Sequence, residues 1–176
     1  HLGYKPEHAV DLETGAIVAA EIHPADQGDT ATVMTTLAKA SENLLEASTD
    51  SGAPEVKANP EVLTIEEAVL DKGYHSGETL VELETAEVRG YVSEPDRGPR
   101  KWTAKDPEQQ TAKRNEQQAT YRNRRRAKGE RSKQLHRKRG EFVERAFEHV
   151  LDDGGMRRAH LRGRENVLKR YLVHVA

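Results

Sequence analysis

The chain has 176 residues, of which 35% are hydrophobic, 5% aromatic and 33% charged, enough for one ordinary domain but with a thin core for that length. It has no cysteine, which excludes disulfides, thiolate catalysis and Cys-ligated zinc. No apolar run comes near the roughly eighteen residues of a membrane span, and no secretory leader pattern is present, so the expectation is a soluble cytoplasmic protein.

From the N-terminus, Ala9-Val10 and Ala16-Ile17-Val18-Ala19-Ala20 are short apolar stretches separated by Asp11-Leu12-Glu13-Thr14-Gly15. Strand-like runs around a Gly-containing loop of that length predict a β-hairpin within Tyr4–Ile22. After the polar loop from His23 to Asp29, apolar residues at Val33, Met34, Leu37, Ala40, Leu44, Leu45 and Ala47 predict an amphipathic helix capped by Asp29 or Thr30. Ser48 to Pro60 is rich in Ser, Gly, Pro and acids and reads as a surface linker.

Next come a strand around Ala68–Leu70, a helix capped by Ser76 and running through Leu80 and Leu83, and a strand at Val88–Val92. Strand, helix, strand is a crossover unit, so these two strands should be parallel. With the antiparallel hairpin they would make one mixed sheet in an α/β fold. From Asp96 to Lys138 almost nothing is apolar, and Trp102 and Tyr121 stand isolated among Arg, Lys, Gln and Asn. That stretch cannot bury enough surface to fold alone, and reads as a solvated helix or as an insertion that orders on binding. Periodicity returns with Phe142, Val143, Ala146, Phe147 and Val150 on one helical face and Val167, Leu168, Tyr171, Leu172 and Val175 on another. These two helices should cover the sheet.

The formal net charge of −2 conceals two opposed halves. Residues 1–96 carry 5 Lys+Arg against 20 Asp+Glu, or −15, and residues 97–176 carry 23 against 10, or +13. A basic half of that strength is the usual footprint of a nucleic-acid partner, because each neutralised phosphate releases counterions. The acidic half would repel DNA, so contact is expected on the side of the later residues.

Two acids stand out. Val69-Leu70-Asp71-Lys72-Gly73-Tyr74-His75-Ser76 delivers Asp71 from a strand end onto a turn, where open α/β sheets place their ligands, and makes it a candidate metal ligand. Glu144 sits in Arg139-Gly140-Glu141-Phe142-Val143-Glu144-Arg145-Ala146-Phe147, an acid among arginines, as suits a site that holds a divalent cation and admits a polyanion. The structural alternatives are that Asp71 caps its turn and that Glu144 pairs with Arg145 or Lys138.

The DKGYHS turn, the hairpin from Gly3-Tyr4-Lys5 to Ala20, and VERAFEHV followed by GGMRRAHLRGRENVLKRYLVHVA together resemble the catalytic domain of DDE transposases of bacterial insertion sequences, in the insertion-sequence-4-like superfamily. The likeness spans nearly the whole chain in order. It implies an RNase H-like fold in which two Asp and one Glu bind two Mg²⁺, with Asp71 in the second acidic position and Glu144, in its V-E-R-x-F context, in the third. The first Asp is expected on a strand before the hairpin at which this chain begins, so the chain is expected to be truncated there. The resemblance divides it into residues 1–96 as a partial RNase H-like core, 97–138 as a basic insertion and 139–176 as C-terminal helices completing the domain.

Glu141 and Glu148 rival Glu144, and Asp11 and Asp26 are weaker substitutes for the first acid, Asp11 the better of the two. Arg139, Arg145, Arg157, Arg158, Arg162 and Arg164 flank Glu144 in sequence and suit phosphate contact, against the alternative of a solvated face with local pairs. Arg122 to Arg126, Arg124, Arg125 and Arg126 among them, with Lys128, Arg131 and Lys133, fit a flexible basic arm equally well. His75 and His149 are minor candidates for holding a phosphate or water, and Tyr74 is expected to pack under its loop.

The implied function is metal-dependent DNA strand cleavage and strand transfer in transposition. The implied cofactor is Mg²⁺, or Mn²⁺ in its place. Double-stranded DNA at element ends and target is the implied partner, a homodimer is one assembly the resemblance allows, and the setting is bacterial and nucleoid-associated. The rivals are a DNA-binding remnant without chemistry and a nuclease of the same fold.

Overall fold

A computed structural model describes residues 3–50 and 64–175. In chain order the elements are β1 (Tyr4–Val10), β2 (Ile17–Pro24), α1 (Asp29–Asp50), β3 (Glu67–Leu70), α2 (Gly77–Thr85), β4 (Arg89–Val92), α3 (Pro107–Ala127), α4 (Glu130–Glu148) and α5 (Arg164–Val175). A 3₁₀ turn, Lys72–Tyr74, follows β3, and a π-helical turn, His149–Asp153, continues α4. Most of the expected linker lies outside the described residues. Its first residues continue α1, where the Ser48 hydroxyl donates to the Leu45 carbonyl at 2.8 Å. No helix among the described residues is long and apolar enough to cross a membrane.

The strands pair as expected, but among the described residues they do not form one mixed sheet: β1–β2 is an antiparallel two-stranded sheet and β3–β4 a parallel two-stranded sheet. The chain divides into two compact units, His1–Glu55 with Arg137–Ala176, and Val56–His136.

In the first unit the hairpin is covered on both faces. Its turn is built by Asp11, whose carboxylate accepts from the Glu13 amide at 3.2 Å and the Thr14 amide at 3.0 Å, and by Gly15 at φ +79°, a conformation that costs an L side chain energy. Toward α1 the strands present Glu7 and His23, each 4% exposed. The Glu7 carboxylate accepts from the Thr32 hydroxyl at 3.1 Å and from that of Thr36, and His23 Nε2 lies 3.2 Å from it. Thr32 and Thr36 are one helical turn apart, which is why both reach one carboxylate. The alternate strand positions Ala20 and Ile22 join Val150, Met156, Val167 and Tyr171 in an apolar core. The period-2 alternation of the strands thus divides a polar layer from an apolar one.

In the second unit α2 starts at Ser76, whose hydroxyl accepts from the Thr79 amide at 2.9 Å, and buries Leu80 and Leu83. The outer edge of β4 is closed by α3. The Val92 amide donates to Asn123 Oδ1 at 3.0 Å, Asn123 Nδ2 donates to the Val92 carbonyl at 2.8 Å, and Arg126 Nε donates to the Gly90 carbonyl at 2.9 Å. Residues 90 and 92 share a direction in a parallel ladder, so one helix face serves both, and an edge open to pairing is sealed. The basic stretch therefore orders through polar anchors, with Ala119, Thr120 and Asn123 fully buried. Asn123→Ala leaves two buried backbone groups unpaired and should cost about 2–4 kcal/mol. Urea unfolding checks this, and a loss below about 0.5 kcal/mol would show that water replaces the amide.

Candidate functional site

Asp71 directly follows β3 with extended backbone, φ −68° and ψ 166°, and its side chain accepts from the Lys72 amide. The turn closes with the Tyr74 amide donating to the Asp71 carbonyl at 3.2 Å and the His75 amide to the Lys72 carbonyl at 3.3 Å. The cap expected as the structural alternative is thus formed, and it holds an exposed carboxylate at the C-terminal end of a parallel strand. Capping and ligation are compatible, since a carboxylate offers two oxygens.

His75 is 1% exposed, and Tyr74 is half-buried. Arg100 Nη2 donates to His75 Nδ1 at 3.1 Å. Burial first, and then the Arg100 charge, hold the imidazole below its ordinary pKa, so it is a neutral acceptor. Arg100 lies 3.3 Å from Glu94, which Arg124 grips with two bonds, 2.6 and 2.8 Å. The loop behind Asp71 is therefore tied through His75 and Arg100 to α3. Neither Arg100 nor Asn123 was visible as special within a run of polar and basic residues.

Glu144 is exposed on α4 with no ion pair within 4 Å among the described residues. Its expected partner is engaged elsewhere: Arg145 Nη2 donates to Glu141 at 2.9 Å, one helical turn back. That pairing also occupies the rival Glu141. Glu148 is the last residue of α4 and borders a cleft with Gly15, Phe142 and Arg145. Asp11 is committed to its turn, where the Thr14 hydroxyl holds its carboxyl below the usual range, and Asp26 is exposed between β2 and α1. His149 is exposed, 3.5 Å from Asp153. Among the described residues no group of three or more His, Asp and Glu is assembled for a metal. Asp71 belongs to one compact unit and Glu144 to the other.

The arginines divide by what they touch. Arg124 is held by Glu94, with its guanidinium 5.4 Å from the Tyr121 ring centre. Arg126 serves Gly90, and the neighbouring Arg122 is bound by Glu84 at 2.8 and 2.5 Å. Arg131 Nη2 donates to Glu67 at 2.5 Å. The expected flexible arm is thus two helices with internal partners. Arg157 donates to Asp152 at 2.9 Å, Arg164 Nε donates to the Ile22 carbonyl at 2.7 Å, and Arg139 is half-buried on α4. Arg125, Arg158 and Arg162 are different. All three are accessible to solvent and have no carboxylate within 4 Å among the described residues, and Arg125 lines a cleft with Arg89, Arg122, Arg126, Glu84 and Glu87.

Compared with known families, the chain matches the one described as Transposase DDE domain over residues 1–175. Comparison with curated proteins and with solved structures gives no match.

Proposed function

The chain belongs to the transposase DDE-domain family, and from that premise we propose that Asp71 and Glu144 are its second and third catalytic acids and ligands to Mg²⁺. The family makes the protein an enzyme of DNA transposition that acts on DNA and depends on a divalent metal. An antiparallel hairpin, a helix, a parallel strand–helix–strand unit and a C-terminal helix bearing an acid, in that order, support an RNase H-like core.

The observation that carries the site reading is the contrast between the candidate acids. Asp71 is exposed at the end of a parallel strand, where its cap fixes it, and Glu144 is exposed with no counter-ion among the described residues, while Glu141 is paired with Arg145 and Asp11 is committed to its turn. Both proposed ligands offer hard carboxylate oxygens, which suit Mg²⁺ and leave room for its waters. When bound, the metal supplies an activated hydroxyl and a stabilised leaving oxygen. The chain's part is to hold the two carboxylates rigidly, Asp71 by its cap and turn and Glu144 by its helix, and to neutralise phosphates of double-stranded DNA through the uncommitted Arg125, Arg158 and Arg162.

The test is Mn²⁺ titration into the chain with a duplex oligonucleotide present. Saturable binding should weaken in both Asp71→Asn and Glu144→Gln, and binding unchanged in both would overturn the assignment. For the DNA surface, replacing Arg125, Arg158 and Arg162 by Gln should weaken binding to unrelated duplexes about equally, because phosphates carry no sequence. Each lost contact should make the slope of log K against log salt shallower by about 0.9. Arg124→Gln should instead lower the melting temperature, having lost Glu94. An unchanged slope in the triple variant would move DNA contact elsewhere.

A further inference from the structure

Two rings on α4 flank Glu144: Phe142, two residues before it, and Phe147, three after. Both are held by the hairpin. A Cβ at Gly15 would lie 3.0 Å from the Phe142 ring, so the hairpin turn approaches that ring as closely as glycine allows. At the other end the His8 ring stacks on Phe147, with centroids 4.3 Å apart and planes within 7°. His8 is itself fixed from α5, because Tyr171 Oη lies 2.6 Å from its Nε2. Burial pushes the His8 pKa down to about 4 and that of Tyr171 up, so the bond joins a neutral imidazole and a neutral phenol. His8 Nδ1 is buried and makes no hydrogen bond among the described residues.

A buried polar nitrogen without a partner is costly, and a phenylalanine would make the same stack without it. What histidine adds is the bond to Tyr171, which sets the rotation of the ring against Phe147. We propose that His8 is a positioning residue for Glu144: together with Gly15 it holds α4 on both sides of the acid and so directs its carboxylate. This rests on the reading of Glu144 as a metal ligand. The anchoring matters because Glu144 itself makes no ion pair among the described residues that would orient it. A side chain three residues from Phe147 lies one turn along the same helix surface, so rotation of α4 at Phe147 carries the carboxylate with it.

The experiment compares Mn²⁺ affinity, with a duplex oligonucleotide present, across variants of the 176-residue chain whose melting temperatures are also measured. Glu144→Gln reports on the underlying reading, and binding as in the unsubstituted chain would overturn both it and the inference. With Glu144→Gln weakened, His8→Ala and Gly15→Ala should each lose about 10- to 100-fold, the range for groups that orient a metal ligand. His8→Phe combined with Tyr171→Phe keeps the stack but removes the bond, and should recover only part of that loss; full recovery would overturn the role given to the Tyr171 bond. Val33→Ala is the control for stability alone, since Val33 is 3% exposed on α1, outside the His8–Phe147–Tyr171 cluster. It should lower the melting temperature and leave the affinity unchanged. Wild-type affinity in His8→Ala, or losses that simply track melting temperature through Val33→Ala, would overturn the inference.

Discussion

Glu7→Ala should lower the unfolding free energy by about 2–5 kcal/mol, the cost of leaving buried donors without their acceptor. Glu7 and His23 are almost fully buried, the carboxylate accepts from Thr32 and Thr36, and His23 Nε2 lies 3.2 Å from it and 3.3 Å from the Thr36 hydroxyl. Truncation therefore leaves two hydroxyl donors in a space that water does not freely enter, in addition to a cavity. Replacing Glu7 by Met and His23 by Leu together should cost much less than the two single changes added, because neither polar side chain is then left facing an apolar one. Urea or guanidinium unfolding of the four proteins closes the cycle. Additive single and double effects would mean that the two side chains do not interact.

The second large effect is on chemistry. Asp71→Asn and Glu144→Gln should each lower metal-dependent DNA strand cleavage by about 10³-fold or more. An amide oxygen in place of a carboxylate weakens a hard cation's hold. The metal's stabilisation of developing charge amounts to several kcal/mol, with every 1.36 kcal/mol worth a factor of ten. DNA affinity should be unchanged or slightly higher, since a negative charge is removed where a phosphate must approach. Glu141→Gln should stay within a few-fold of the parent because Glu141 is occupied by Arg145. Nicking of supercoiled plasmid with Mg²⁺ or Mn²⁺, by protein that also carries the first acid, measures all three, and a Glu141→Gln loss as deep as that of Glu144→Gln would reassign the third acid.

What could be read from the sequence was what neighbouring residues decide. The hairpin, the Ser76 cap and the parallel β3–β4 pair follow from alternation, turn chemistry and crossover length. They were found where expected, with α1 beginning at Asp29 itself rather than just after a cap there. The acids that carry the proposed chemistry were legible as a motif, whereas their surroundings were not. That Arg145 would choose Glu141 over Glu144 depends on side-chain rotamers, since both neighbours are acidic. That Asn123 would close a strand edge depends on residues 31 positions away, and Glu67 finds Arg131 across 64 positions. Such pairings leave no trace in local composition. The single mixed sheet does not follow from the two pairs alone, and among the described residues β1–β2 and β3–β4 are each two-stranded.

The contacts of Glu67, Glu84 and Glu94 with Arg131, Arg122 and Arg124 bear on how DNA finds this protein. Along the sequence the charge looks polar end to end, −15 before residue 97 and +13 after it. Folding regroups it: Val56–His136 holds 16 Lys+Arg and 14 Asp+Glu, a net +2, and the remaining residues hold 12 and 16, a net −4. Neither body projects a strong field beyond a Debye length, about 8 Å at physiological ionic strength. Electrostatic steering from a distance should then contribute little to the encounter rate. Attraction begins only when a local cluster such as that around Arg125 is already near a phosphate, so salt should act mainly on how long the complex lasts and much less on how fast it forms.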